Sequence, residues 1–80
     1  MKWYLIDQTP TLSWIQLLNV DTIEEAIAEG MKAWDKLSPD EKEKRQNFYV
    51  CQGDESKTSM IDFDTMHNEV DIKKLLKKED

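Results

Sequence analysis

The apolar positions of this chain change their period from one segment to the next. Residues 2–7 run Lys-Trp-Tyr-Leu-Ile-Asp, and aromatic and branched side chains in such a run favour a strand. Alternation sets Trp3 and Leu5 on one face and Tyr4 and Ile6 on the other. The stretch Asp7-Gln8-Thr9-Pro10 has turn chemistry, because Pro10 cannot donate to a ladder. A second strand fits residues 12–18, with Leu12, Trp14 and Leu18 on one face and Ser13, Ile15 and Leu17 on the other. The short connection predicts an antiparallel hairpin, although residues 14–18 also fit a buried helical turn.

From 22 to 37 the period becomes helical. Ile23, Ala26, Ile27, Gly30, Met31, Trp34 and Leu37 form one apolar stripe at 3.6-residue spacing, with Glu24, Glu25, Glu29, Lys32, Asp35 and Lys36 on the other faces. Asp21 with Glu24, and Thr22 with Glu25, both have the spacing of a capping box, and acids in the first turn suit the helix dipole. Gly30 costs about 1 kcal/mol relative to Ala in a helix interior. Its place on the stripe predicts close passage over a strand or a bulky Trp. Ser38-Pro39-Asp40-Glu41 starts a second helix, with Ser at the cap, Pro at the first position and Glu at the third. Its body, 41–46, has no apolar face, so it is expected to be a solvated connector pinned by Leu37 and Phe48.

Residues 47–52 carry Phe48, Tyr49, Val50 and Cys51, apolar on both faces, which predicts an interior strand. A polar loop (53–59) follows, then a short fourth strand at 60–63. Two readings of the end stand side by side: a strand through 69–72, or a helix at 72–78 capped by Asp71, with 77–80 fraying. The expected fold class is therefore α+β: an antiparallel sheet of three to four strands, opening with a β-hairpin, on one main amphipathic helix. The expected order is β-β-α-α-β-β, followed by a C-terminal helix or strand.

Eighty residues make one domain, 1–80. Three Trp, two Tyr and two Phe supply its core. The single cysteine, Cys51, excludes an internal disulfide and a Cys-rich zinc site. The apolar start ends at Asp7, too early for a signal peptide, and no apolar run is long enough to span a membrane; a cytoplasmic address is expected. The net charge of −6 is uneven. Acids dominate 21–35 and 54–71, whereas lysines dominate 73–80. That balance disfavours direct contact with nucleic acid or an anionic membrane and permits a basic protein partner.

Candidate chemistry is sparse. Asp62 and Asp64 form a D-x-D pair suited to a hard cation, but Met66, His67 and Lys73 occupy positions where a calcium loop needs other residues. Thr65 comes one residue early for a phosphatase D-x-D-x-T motif. His67 is the only histidine, and with Gly30 and Gly53 as the only glycines there is no loop to cradle a phosphate or build an oxyanion hole beside Cys51. No catalytic residue, cofactor or metal ligand is assigned. Two surfaces remain. Trp3 and Trp14 lie on adjacent strands, and whichever is left uncovered, with Tyr4 or Ile15, would mark a partner-binding face or a homodimer contact. The second surface is acidic, formed by Glu24, Glu25, Glu29 and Asp35 with Asp54, Glu55, Asp62 and Asp64. Spaced carboxylates of this kind can imitate nucleic-acid phosphates and select basic partners.

The segments Asp21-Thr22-Ile23-Glu24-Glu25-Ala26, Leu37-Ser38-Pro39-Asp40-Glu41-Lys42, Phe48-Tyr49-Val50-Cys51 and Asp62-Phe63-Asp64-Thr65-Met66 occur in an order that resembles small uncharacterised acidic proteins of Gram-positive phages and mobile elements. The resemblance implies an accessory or counter-defence role, such as inhibition of a host nucleic-acid-handling protein. The leading expectation is a non-enzymatic protein-binding protein. A self-associating structural subunit is the alternative, and a weak divalent-metal protein or small enzyme the third.

Overall fold

The computed structural model describes residues 2–54 and 66–77. Strand β1 (Lys2–Gln8) turns back into β2 (Ser13–Leu18). Helix α1 (Ile23–Asp35) and the short α2 (Pro39–Lys44) follow. The chain then forms β3 (Asn47–Gly53), β4 (His67–Asp71) and α3 (Ile72–Lys77). The four strands make one antiparallel sheet in the order β2-β1-β3-β4, so the class is α+β. The expected strand at 60–63 lies outside the described residues. The two C-terminal alternatives both occur in sequence: β4 ends at Asp71, whose Oδ1 then accepts from the Lys74 N–H at 3.1 Å as α3 begins. Lys77 closes α3, and 78–80 lie outside the description.

Local chemistry explains the helix starts. The Thr22 hydroxyl accepts from the Glu25 N–H at 3.2 Å and donates to Glu25 Oε1 at 3.0 Å. Thr22 is thus the cap of α1, and the alternative Asp21–Glu24 pairing is not used. Ser38 and Glu41 make a reciprocal capping box, each side chain accepting from the other's N–H at 3.2 Å. Each cap thus satisfies a backbone donor that the first turn of its helix would leave open, the Glu25 N–H in α1 and the Glu41 N–H in α2.

Strand pairing fixes which side chains share a face. Leu5 lies opposite Val50 and Gln16, Trp3 opposite Leu18, and Asp7 opposite both Phe48 and Trp14. This face takes the helices. Helix α1 lies over β1 and β3, while α3 lies over β3 and touches α1, so two helices, not one, cover the sheet. The layer between them contains Trp3, Leu5, Leu18, Ala26, Phe48, Val50 and Ile72. A Cβ added at Gly30 would sit 3.0 Å from Ile72 Cγ1 and Cδ1 and 3.2 Å from Val50 Cγ1. The glycine on the stripe therefore serves close passage over β3 and α3. Ile23, the first residue of the stripe, is exposed. On the opposite face Tyr4, Ile6 and Cys51 are buried, with Ile15, Tyr49 and Met66 packed around them. The centre of the sheet is thus buried on both sides, and Tyr4 forms no part of an uncovered aromatic face.

Candidate functional site

Helix α1 covers β1 and β3 but stops short of the edge strand β2, and this decides which tryptophan is accessible. Trp3 pairs with Leu18 beneath the helix layer and is only 4% exposed. It is core, which corrects its expected place on a binding surface. Trp14 lies on the same face, nearer the hairpin turn, and is 45% exposed. Leu12 is exposed on the same face, and Leu17 is exposed on the opposite face of β2. Trp3 and Trp14 share a face of the adjacent strands but do not pair across them, Trp3 lying opposite Leu18 and Trp14 opposite Asp7, and alternation carries no information on where along the strands the helix layer ends.

One side of the Trp14 ring is held by Arg45, whose guanidinium carbon lies 5.4 Å from the ring centroid, within cation–π range. Arg45 follows α2 directly, and its backbone N–H bonds the Lys42 carbonyl at 3.3 Å. Its Nε lies 2.8 Å from Asp7 Oδ1, both atoms buried, although the N–H is not well directed at that oxygen. Nη1 donates to the Glu41 carbonyl at 3.4 Å and Nη2 lies 4.0 Å from Glu41 Oε2. The Arg45 carbonyl in turn accepts from Lys73 Nζ at 2.7 Å, which ties α3 to the same point. Helix α2 is therefore more than a connector, because it sets Arg45 between Asp7 and Trp14. Sequence reasoning missed Arg45. Its one local signal was the i,i+4 spacing to Glu41, while its main partner, Asp7, sits at the far end of β1.

Burial raises the Asp7 carboxyl above its ordinary pKa, and the opposing charge of Arg45 does not fully offset it. Glu41 is lowered, mainly by the hydrogen bond from the Ser38 backbone N–H. The Arg45–Trp14 contact separates two clefts. One, of about 540 Å³, runs between β2 and α1 over Leu5 and Phe48, with Gln16, Lys32 and Lys36 on its walls. The other, of about 580 Å³, lies between the hairpin turn at Thr9, Pro10, Thr11 and Leu12 and the α2 residues Glu41 and Lys44.

The acidic residues occupy a different place. β2 ends at Leu18 beside Trp3, and the chain passes from there into the start of α1, which carries Glu24 and Glu25. Asp54 follows Gly53, which pairs with Lys2 at that same end of the sheet. These three exposed acids therefore come off the end opposite the hairpin turn. Glu29 is an exposed residue further along α1, 3.5 Å from Lys32, and Asp35 is the exposed last residue of that helix. Glu55, Asp62 and Asp64 lie outside the described residues. Among the described residues no group of three or more His, Cys, Asp or Glu side chains converges to hold a metal ion. Cys51 is fully buried, and burial pushes its thiol up to about 11, the reverse of an activated nucleophile. His67 is exposed at the start of β4. No helix among the described residues is long and apolar enough to cross a membrane.

No family model, curated protein or solved structure matches this chain. What the geometry offers is an accessible aromatic on an edge strand, clamped by an arginine at the mouth of two clefts.

Proposed function

We propose that this is a non-enzymatic protein-binding protein whose working surface is the edge strand β2 with Trp14 at its centre. The observation that carries the reading is the exposure, along one short edge hairpin, of Leu12 and Trp14 on one face and Leu17 on the other in a chain that is 35% charged. Large apolar side chains grouped at an edge are costly to leave in water, and Trp held by Arg is a common energetic anchor of interfaces. Glu24, Glu25 and Asp54, at the far end, then act in steering and selection of a basic partner more than in anchoring it. An accessory or inhibitor-like role toward a nucleic-acid-handling protein agrees with the acidic balance. Self-association is the second reading, favoured by the outer side of β2, which pairs with no strand among the described residues.

The test compares proteins retained by the tagged wild-type chain with those retained by Leu17→Lys and by Glu24→Lys/Glu25→Lys. The proposal expects specific binding to be lost with Leu17→Lys and only weakened by the charge reversals. Loss with the charge reversals alone, with Leu17→Lys binding normally, would assign the work to the acidic end instead.

A further inference from the structure

From Gln8 to Val20 no residue carries a charge, and this strip contains the whole of the edge strand β2. Natural sheets protect their edges with lysine, proline, bulges or inward charges, because an open edge is a template for another strand. Among the described strands the other edge, β4, has such protection. β4 carries Glu69 and Asp71, Asn68 takes a left-handed φ of 56°, and its register with β3 breaks between Val50 and Gln52. β2 has none of these devices over its six residues. Its register with β1 runs unbroken from Ser13 to Leu18. The Thr9 N–H bonds the Leu12 carbonyl at 2.8 Å, and from that bond the antiparallel alternation turns the N–H and C=O groups of Ser13, Ile15 and Leu17 outward.

Resting on the reading of β2 as a protein-binding edge, we infer that its occupant is a second copy of this chain, paired β2 to β2 about a two-fold axis at Gln16. Directly opposed residues of an antiparallel pair share a face, so a two-fold axis normal to the sheet must pass through a residue position. With Gln16 on the axis, Trp14 meets Leu18 of the other copy, Ile15 meets Leu17, and the two Gln16 amides face each other. The outward groups of Ile15 and Leu17 then bond reciprocally. Centring on Ile15 instead sets Trp14 against Gln16 and Ser13 against Leu17, a poorer apolar match.

Charge supports the same occupant. Antiparallel pairing lays the Leu18 end of one copy beside the hairpin turn of the other. The segment that follows Leu18 in the first copy then approaches the hairpin-turn cleft of the second, whose wall carries Glu41, Lys44 and Arg45. Each chain's Asp21 end thus approaches a wall where Lys44 and Arg45 stand beside Glu41, and the neutral strip lets two chains of net charge −6 come together without opposing like charges along β2. Helix α1 lies over β1 and β3 rather than β2, so the helix layers leave the junction open. The described strands of the two copies then form one continuous eight-stranded sheet, closed by symmetry.

Sedimentation of the wild-type chain over a range of concentrations tests this, together with Leu17→Lys and, as a control on the other edge, Glu69→Lys. The expected result is a wild-type species of twice the chain mass. Leu17→Lys should weaken it by at least about tenfold, and Glu69→Lys should leave it unchanged. Gln16→Cys should give a disulfide-linked dimer on mild oxidation faster than Ile15→Cys does, with Cys51 buried and silent. A wild-type chain that stays monomeric at its highest soluble concentration overturns self-pairing, and if Leu17→Lys still abolishes capture of other proteins, the binding reading stands without it. A dimer indifferent to Leu17→Lys overturns pairing through β2, and faster linkage at Ile15→Cys overturns the register.

Discussion

Replacing Arg45 by Met will lower the free energy of unfolding at neutral pH by about 3 kcal/mol, read as a fall of about 15 °C in Tm for a chain of this size. The physical cause is Asp7. Its carboxyl and the Arg45 guanidinium side chain are 17% and 10% exposed, so removing the arginine strands a nearly buried charge opposite Phe48 and Trp14. Asp7 already lies above its ordinary pKa because burial outweighs the arginine. The sign of the pH dependence follows. A carboxyl raised in the folded state binds its proton more readily there than in the unfolded chain, so its ionisation costs stability above the folded pKa. That cost is relieved as pH falls through the folded pKa. In Arg45→Met the carboxyl rises further, so the loss should be largest at neutral pH and shrink on acidification. The double variant Asp7→Asn/Arg45→Met should recover most of it, since neither charge is then left alone. A loss of the same size at every pH would show that Arg45 acts by packing on Trp14 instead of by neutralising Asp7.

Gly30→Val is expected to be comparably damaging, by about 3 kcal/mol. The helix gains a few tenths of a kcal/mol in propensity when glycine is replaced, but the new Cβ falls 3.0 Å from two carbons of Ile72 and 3.2 Å from Val50, and the two methyls beyond it have nowhere to go. Ile72 and Val50 are fully buried, so relief requires α1 and α3 to move apart across the sheet. Gly30→Ala meets the same contacts with one carbon and a larger propensity gain of about 1 kcal/mol, and should lie much nearer to neutral. Thermal melts of the two variants check the pair, and equal melting temperatures would show that the close approach does not govern stability.

The elements that were legible in the sequence are those whose signal is local. The α1 stripe, the Ser38 box and the face alternation of the first two strands each need only a few neighbouring residues, and each has its counterpart in the fold. Close passage at Gly30 was legible because a glycine on an apolar stripe has few other purposes, although its neighbours, Val50 and Ile72, were not. The C-terminal region resisted because Asp71 both ends a strand and caps a helix, so two signals overlapped and each looked like an alternative to the other. The burial of Tyr4, Ile6 and Cys51 on the second face was hidden for a different reason, since apolar residues on both faces of a strand do not say what covers them. The site itself was half legible. Trp14 was singled out with Trp3, yet only the extent of the helix layer separates the exposed ring from the buried one. Arg45 was invisible as a partner of Asp7 because their contact depends on the β1–β3 register and on where α2 ends.

The claim that β2 is an open edge used for protein contact is tested most directly by amide hydrogen exchange, read residue by residue along the two edge strands. In dilute solution the outward N–H groups of Ile15 and Leu17 should exchange rapidly, while the inward Gln16 N–H is held by β1. Raising the concentration of the chain should slow Ile15 and Leu17 together and leave His67 to Asp71 unchanged. Exchange at Ile15 and Leu17 that is fast at every concentration, and stays fast with a retained partner protein present, would contradict the assignment of β2 as the contact surface.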